Sequence, residues 1–259
     1  MMTTPAPGVS AITASRIFIG RSVRHSVRNV DAMVMAVVLP VMLMLVFVFV
    51  FGGAISDTGS YLDYVVPGIV LTCAGFGASS TGVSVSQDLQ SGAIDRLRTM
   101  PVTAATVLVG HTVASVVRNL LATVIVVLVA VLLGFRPNTS AVEAVGALGL
   151  VAFYIMAITS VFAMLGLVAG SAEAASGYGF VILFLPYASS AFVPLDSMPG
   201  WLQVFAAHQP VTPVVEATRA LLSGQSPGAD ALIAVAWCIG IIVVASALIV
   251  WLFPRRSAR

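Results

Sequence analysis

The sequence predicts an all-α, polytopic membrane protein of six transmembrane helices, and three observations carry that expectation. Of its 259 residues 59% are hydrophobic and only 8% charged, against about a quarter charged in ordinary soluble domains. Mean hydropathy is +1.06. The apolar residues also fall into blocks of roughly 20, the length of helix that crosses a hydrocarbon core. A soluble globular protein is thereby excluded.

In order, the blocks run from Ala32 to Gly53, Val65 to Val85, Val113 to Gly134, Ala144 to Ala169, Ala175 to Val193 and Ala231 to Phe253. The first is too long for the apolar region of a signal peptide and lacks a clear small-residue cleavage site, so it reads as a retained span. Six spans place both termini on one side. Arg16, Arg21, Arg24 and Arg28 precede span one, Arg96 and Arg98 separate spans two and three, and Arg255, Arg256 and Arg259 follow span six. That bias assigns these regions to the cytoplasm. Arg118 stands early in span three, where its stem is expected to snorkel to the inner interface, leaving Arg136 and Arg219 to the outer loops. Residues 1–259 read as a single membrane domain, without linker, low-complexity stretch or repeat. Gly166 and Gly170 form a G-x-x-x-G in span four, and Gly68, Gly75 and Gly82 recur along one side of span two. Such spacing suits close packing within the chain first, and a subunit interface second.

Composition also limits the chemistry. All twelve basic residues are Arg, so there is no Lys for a phosphate-binding P-loop or a Schiff base, and any ATP must be hydrolysed by another chain. Nor is there a basic surface large enough for nucleic acid. Cys73 and Cys238 lie inside apolar blocks and read as small buried hydrophobes, with no disulfide, metal site or redox role expected.

Three segments carry more pattern than a helix bundle requires. In residues 10–30, Ile12, Ile19, Val23, Val27 and Val30 fall on one helical side and Arg21, Arg24 and Arg28 on the other, which predicts an amphipathic helix on the inner leaflet, drawn to anionic lipid and able to brace a cytoplasmic partner. The cytoplasmic loop at 86–102 has Gly92 and Pro101 as breakers around a short helical stretch. Within it Ile94 and Leu97 supply an apolar face, and Asp95 and Arg98 stand three apart, able to pair with each other or to reach a partner's charges. A loop that only fixed orientation would need its arginines alone, so this one reads as a docking element. The outer connection, 193–229, is too apolar for a solvated loop. Trp201, Leu202 and Phe205 share a helical face suited to the headgroup level, and Pro210 and Pro213 mark a break before a second helix with Glu216 and Arg219. A re-entrant or interfacial helical hairpin is expected there, shielding the bundle or serving as an outer gate.

In this order the three segments resemble the type 2 permeases of the ATP-binding-cassette transporters, especially the daunorubicin-resistance-type exporters, over nearly the whole chain. The most specific match is in the cytoplasmic loop: Asp88, Gly92, Asp95, Leu97, Arg98 and Pro101. The second is the outer Met198, Pro199, Trp201 and Leu202, followed by Pro210. Asp stands at 88 and 95 where the family usually has Glu, which shortens the reach of both. The resemblance implies that the Gly92 to Pro101 region is a coupling helix seated in a groove of a P-loop ATPase subunit. It likewise implies that the N-terminal amphipathic helix is the family's connecting helix. Two six-helix halves, identical or different, would work with two ATPase chains, which would hold the ATP and Mg; no cofactor is expected in this chain. Glu173, in the turn between spans four and five, is a further candidate for ATPase contact, beside its plainer reading as a solvated turn residue.

The span interiors show no acidic residue and few polar ones, which favours a hydrophobic or amphipathic cargo such as a drug, lipid or secondary metabolite. Polysaccharide or glycolipid export within the same family is the alternative. Thr72, Ser79, Ser80, Thr81 and Ser84 of span two, with Tyr178, Tyr187, Ser189 and Ser190 of span five, are the polar positions able to face a path, Thr72, Ser79, Ser80, Tyr178 and Tyr187 foremost, although such groups more often make packing hydrogen bonds. Two other classes fit less well. An intramembrane hydrolase would need Ser79 beside a base, but Ser80 stands where a glycine is expected and neither His111 nor His208 shares its depth. An ion-driven transporter usually places charge near the midplane, whereas Glu143, Glu173 and Arg118 are expected near span ends. The exclusive use of Arg with abundant Ala and Val suggests a high-GC bacterium, hence its inner membrane.

Overall fold

The computed structural model describes residues 30–55, 61–91 and 104–256. The predicted amphipathic segment, apart from Val30, and most of the cytoplasmic loop lie outside these residues. Among the described residues the fold is helical throughout, without strands. Helix α1 (Val30–Leu45) runs on through a π-helical stretch (Val46–Phe51) into α2 (Gly52–Ile55). Then follow α3 (Tyr61–Gln90), α4 (Ala104–Leu132), α5 (Ala141–Val168), α6 (Ala172–Leu183), 3₁₀ turns at Leu185–Ala188 and Leu195–Ser197, α7 (Gly200–His208), α8 (Val211–Leu222) and α9 (Gly228–Arg256).

Helices α3, α4, α5 and α9 are long and apolar enough to cross a membrane and correspond to predicted spans two, three, four and six. In an apolar medium every backbone N–H and C=O must find a partner inside the protein, and a helix satisfies them locally. The other two predicted spans differ from uniform rods. The first is helical without interruption from Val30 to Ile55 but contains Pro40 and passes through the π-helical stretch before its last turn. The fifth, expected from Ala175 to Val193, is a helix of only 12 residues, about 18 Å long against a hydrocarbon core of about 30 Å. Pro186 explains the stop, because it has no N–H to bond the carbonyl of Ile182 one turn earlier.

Helix α3 is the centre of the bundle. Buried positions make up 72% of its apolar stretch, against 17% for α9 at the edge, and it packs on α1, α4, α5, α6 and α8. Its small residues allow this. A Cβ on Gly82 would lie 2.8 Å from the Phe162 carbonyl oxygen, one on Gly68 would lie 2.6 Å from that of Ala191, and one on Gly166 would strike the Gly82 backbone. These glycines therefore pack the chain against itself, whereas Gly170 has open space around it.

The helix ends follow ordinary capping. Ser140 and Glu143 form a capping box at the start of α5: Ser140 N–H donates to Glu143 Oε2 at 2.7 Å and Glu143 N–H to Ser140 Oγ at 3.3 Å. At the end of α4, Gly134 takes φ +111° and Arg136 donates to the Val131 carbonyl at 2.8 Å. Thr139 Oγ1 then donates to the Leu221 carbonyl at 2.8 Å, bringing the α4–α5 turn beside α8. The opposite end of the bundle is tied where Gln90 Nε2 donates to the Gly170 carbonyl at 3.0 Å. The bundle thus has a cap end, with α7 and α8, and a loop end, where α3 leads into residues 92–103.

Candidate functional site

The break after α6 creates the first concentration of function-grade structure. Residues 185–193 are not a regular α-helix, yet Pro186, Ser189, Ser190, Ala191 and Phe192 are buried, so their carbonyls need donors from elsewhere. Tyr64 Oη donates to the Ser190 carbonyl and Tyr61 Oη to that of Phe192, each at 2.8 Å. Gln209, itself buried, reaches the carbonyls of Leu185 and Ala188 through long contacts of 3.4 Å. Arg219 completes the set: Nη2 donates to Ser190 O at 2.8 Å and to Tyr64 O at 3.2 Å, Nη1 meets Glu216 Oε1 at 2.6 Å, and the guanidinium lies 3.8 Å over the Tyr64 ring. Helix α8 is thereby locked to the cap end of α3 and to the broken span together.

Aromatic rings fill the same region. Phe47 of the π-helical stretch stacks on Phe192 at 4.4 Å, Phe192 on Tyr187 at 5.0 Å, and the series continues through Phe184 at 5.9 Å to Phe180 at 4.9 Å. Phe180 on α6 and Phe184, which caps its end, are exposed while Phe192 is buried. One run of rings therefore leads from the apolar surface of the protein into its interior.

A second concentration is polar and lies midway along the bundle. Arg118 was expected near the inner interface; the structure instead starts its helix at Ala104 and buries its side chain against the middle of α3. Its Nη2 donates to the Gly77 carbonyl at 2.8 Å and to Ser80 Oγ at 2.6 Å. Asn119 fills the slot that Gly77 leaves by lacking a side chain, and its Nδ2 donates to Ser115 Oγ at 3.2 Å. Ser115 Oγ in turn lies 3.3 Å from Thr159 Oγ1 of α5.

The residues singled out from sequence fall into several places. Gly92, Ile94, Asp95, Leu97, Arg98 and Pro101 lie outside the described residues. Asp88, half-buried near the end of α3, and Glu173, exposed in the first turn of α6, both stand at the loop end. At the cap end Met198 is half-buried, Pro199 caps α7 and Pro210 caps α8. On α7, Trp201 and Phe205 face outward with Val204, while Leu202 is half-buried. Thr72, Ser79 and Ser80 donate within their own helix, to Gly68, Phe76 and Gly77 carbonyls; Ser80 also receives Arg118. Tyr178 is exposed on α6, and Tyr187 sits inside the aromatic run.

Sequence reasoning did not single out Tyr61, Tyr64, Gln209 or Phe192, nor Arg219 as more than the partner of Glu216. The available signal was Pro186 with Ser189 and Ser190 inside an apolar block, which announces a broken span whose backbone must be satisfied by neighbours.

The described residues thus form a helical bundle with a central small-residue helix, a broken span and a helical cap, the architecture of a multi-pass membrane protein. Residues 13–223 match the ABC-2 type transporter family, and the chain belongs to that family. It is 30% identical over 225 residues to a daunorubicin resistance ABC transporter permease protein of Streptomyces coeruleorubidus, covering 86% of this chain and 77% of that one. It is 26% identical over 255 residues to a protein of Mycobacterium tuberculosis named as a probable doxorubicin resistance ABC transporter permease, covering 94% and 92%.

Proposed function

We propose that this chain is the membrane-spanning half of an ATP-driven exporter that moves a hydrophobic or amphipathic compound, a drug, lipid or secondary metabolite, out of a bacterial cell. The observation that carries the reading is the likeness, over most of both chains, to permeases named for daunorubicin and doxorubicin resistance. The run of rings from Phe180 to Phe47 supports an apolar, aromatic-tolerant cargo.

On this reading the chain lies in the inner membrane with both termini and the loop end cytoplasmic. A separate P-loop ATPase holds ATP and Mg, and a second permease half, identical or different, completes the pore. Residues 92–101 are the coupling segment, with Asp95 and Arg98 making charged contacts to the ATPase and Asp88 and Glu173 beside them. Closure of the ATPases on nucleotide pushes the loop end, and the bundles shift between two packed arrangements that expose the path outward. The cap, with Trp201, Leu202 and Phe205, forms the outer gate.

The test is to tag the chain in its native host, solubilise it gently, and assay for a co-purifying ATPase and its ATP hydrolysis. In cells the same strains are scored for doxorubicin accumulation. Asp95→Ala and Arg98→Ala are expected to leave the protein in the membrane while the captured ATPase and the efflux are lost. A chain that purifies without any ATPase in several detergents would sink the reading; full activity in both variants would remove the coupling assignment.

A further inference from the structure

The exporter reading needs a push at the loop end to reach the interior, and the polar cluster around Arg118 bears on how. The two arms of the loop are α3, which enters it, and α4, which leaves it. Along the axis of α3, Gly77 stands roughly 24 Å from Tyr61 and 20 Å from Gln90, so the Arg118 contact grips α3 near its middle. The buried core around it holds Ala74 and Ala78 of α3 and Ala122 and Val126 of α4, all apolar. Apolar contacts are non-directional and let helices slide or roll in small steps. Charge-assisted hydrogen bonds to a fixed carbonyl and a hydroxyl do not, and they are strong in a low dielectric.

We propose that Arg118 is a positioning residue for transport: by pinning α4 to Gly77 and Ser80 of α3, it makes the two arms of the coupling loop move as one body. Displacement at the loop is thereby delivered to the centre of the bundle. The geometry supplies both parts of such a pin. Arg118 Nη2 holds two acceptors one turn apart on α3, and Ser80 Oγ also donates to Gly77 O at 2.8 Å, so the acceptor pair is itself fixed. Asn119, the next residue, keys into the Gly77 slot and stops the helices from rolling. Through Ser115 and Thr159 the same cluster touches α5, so the joined arms carry the fourth span with them. An arginine inside a bundle is costly and is retained where a specific arrangement depends on it; simple cohesion is already provided by the apolar contact.

The proposal rests on the exporter reading, and the experiment separates the two. The permease and its ATPase are purified together and placed in liposomes, and doxorubicin transport and ATP hydrolysis are measured on the same sample for wild type, Arg118→Gln and Arg118→Lys. Arg118→Gln is expected to assemble with the ATPase and hydrolyse ATP at the wild-type rate, while transport per ATP falls about tenfold, equivalent to about 1.4 kcal/mol of lost coupling. Arg118→Lys, which keeps a charged donor, is expected to recover part of that ratio. A spin-label distance between Ser91→Cys and Thr112→Cys is expected to stay constant through the ATP cycle in wild type and to change in Arg118→Gln. Unchanged transport per ATP in Arg118→Gln, or equal loss of assembly, hydrolysis and transport in both variants, overturns the pin and leaves the exporter reading standing. A wild-type chain that captures no ATPase overturns both.

Discussion

At the level of single residues, several side chains do backbone work that their type does not announce. Cys73 is buried, as its apolar surroundings suggest, but it also donates through Sγ to the Ala36 carbonyl at 3.1 Å. That carbonyl lies four residues before Pro40, which has no N–H to offer it. The carbonyl that Pro40 leaves unbonded in one helix is thus satisfied by a thiol from another. Gly166 is a different case, since its value is the absence of a side chain where α5 crosses α3 at Gly82. Gly166→Val is expected to force the helices apart and lower stability by about 1–3 kcal/mol. A drop in the thermal midpoint of the detergent-solubilised protein would register it. Gly170→Ala, in open space, is the matched control and is expected to leave the midpoint unchanged. The glycine spacing was readable in sequence because small residues at regular intervals have few other uses in a span. The burial of Arg118 was not, because its acceptors, the Gly77 carbonyl and Ser80 Oγ, belong to another helix and leave no mark on the pattern of its own.

Among the elements, α6 and α7 carry the most information. Hydropathy placed a full span over 175–193, since an apolar stretch reads the same whether it is a rod or a broken chain buried in protein. The break is possible only because Tyr61, Tyr64, Gln209 and Arg219 converge on its carbonyls from α3, the turn before α8, and α8 itself. Helix α7 follows its sequence pattern in part: Trp201 and Phe205 point away from the bundle with Val204, while Leu202 is half-buried and Ala206 is buried. An exposed aromatic face of this kind suits a membrane interface. In a Trp237→Phe, Trp251→Phe background, Trp201 fluorescence is expected to be quenched by lipids brominated near the headgroup, and weakly by lipids brominated at the chain ends. Quenching of the reverse order, or none, would place α7 elsewhere.

For the whole molecule, the two ends of the bundle make a prediction about orientation. Ser91 is exposed at the loop end and Ser226 at the cap end, and the native Cys73 and Cys238 are both buried. A membrane-impermeant maleimide added to intact cells is expected to label Ser226→Cys and to spare Ser91→Cys until the cells are opened. Labelling of Ser91→Cys from outside would invert the topology derived from the arginines. The sequence by itself determined that the chain is a helical membrane protein, where its four long apolar helices fall, and which family it resembles. Those properties follow from length, composition and local pattern, because a bilayer admits few ways to bury a backbone. Only the tertiary structure decided that α3 is the hub, that the fifth span breaks under the Arg219 lock, and that Arg118 is held at mid-bundle by Gly77 and Ser80. Each of those is a meeting of residues far apart in the chain, where the acceptor is often a backbone carbonyl that no side-chain pattern reveals.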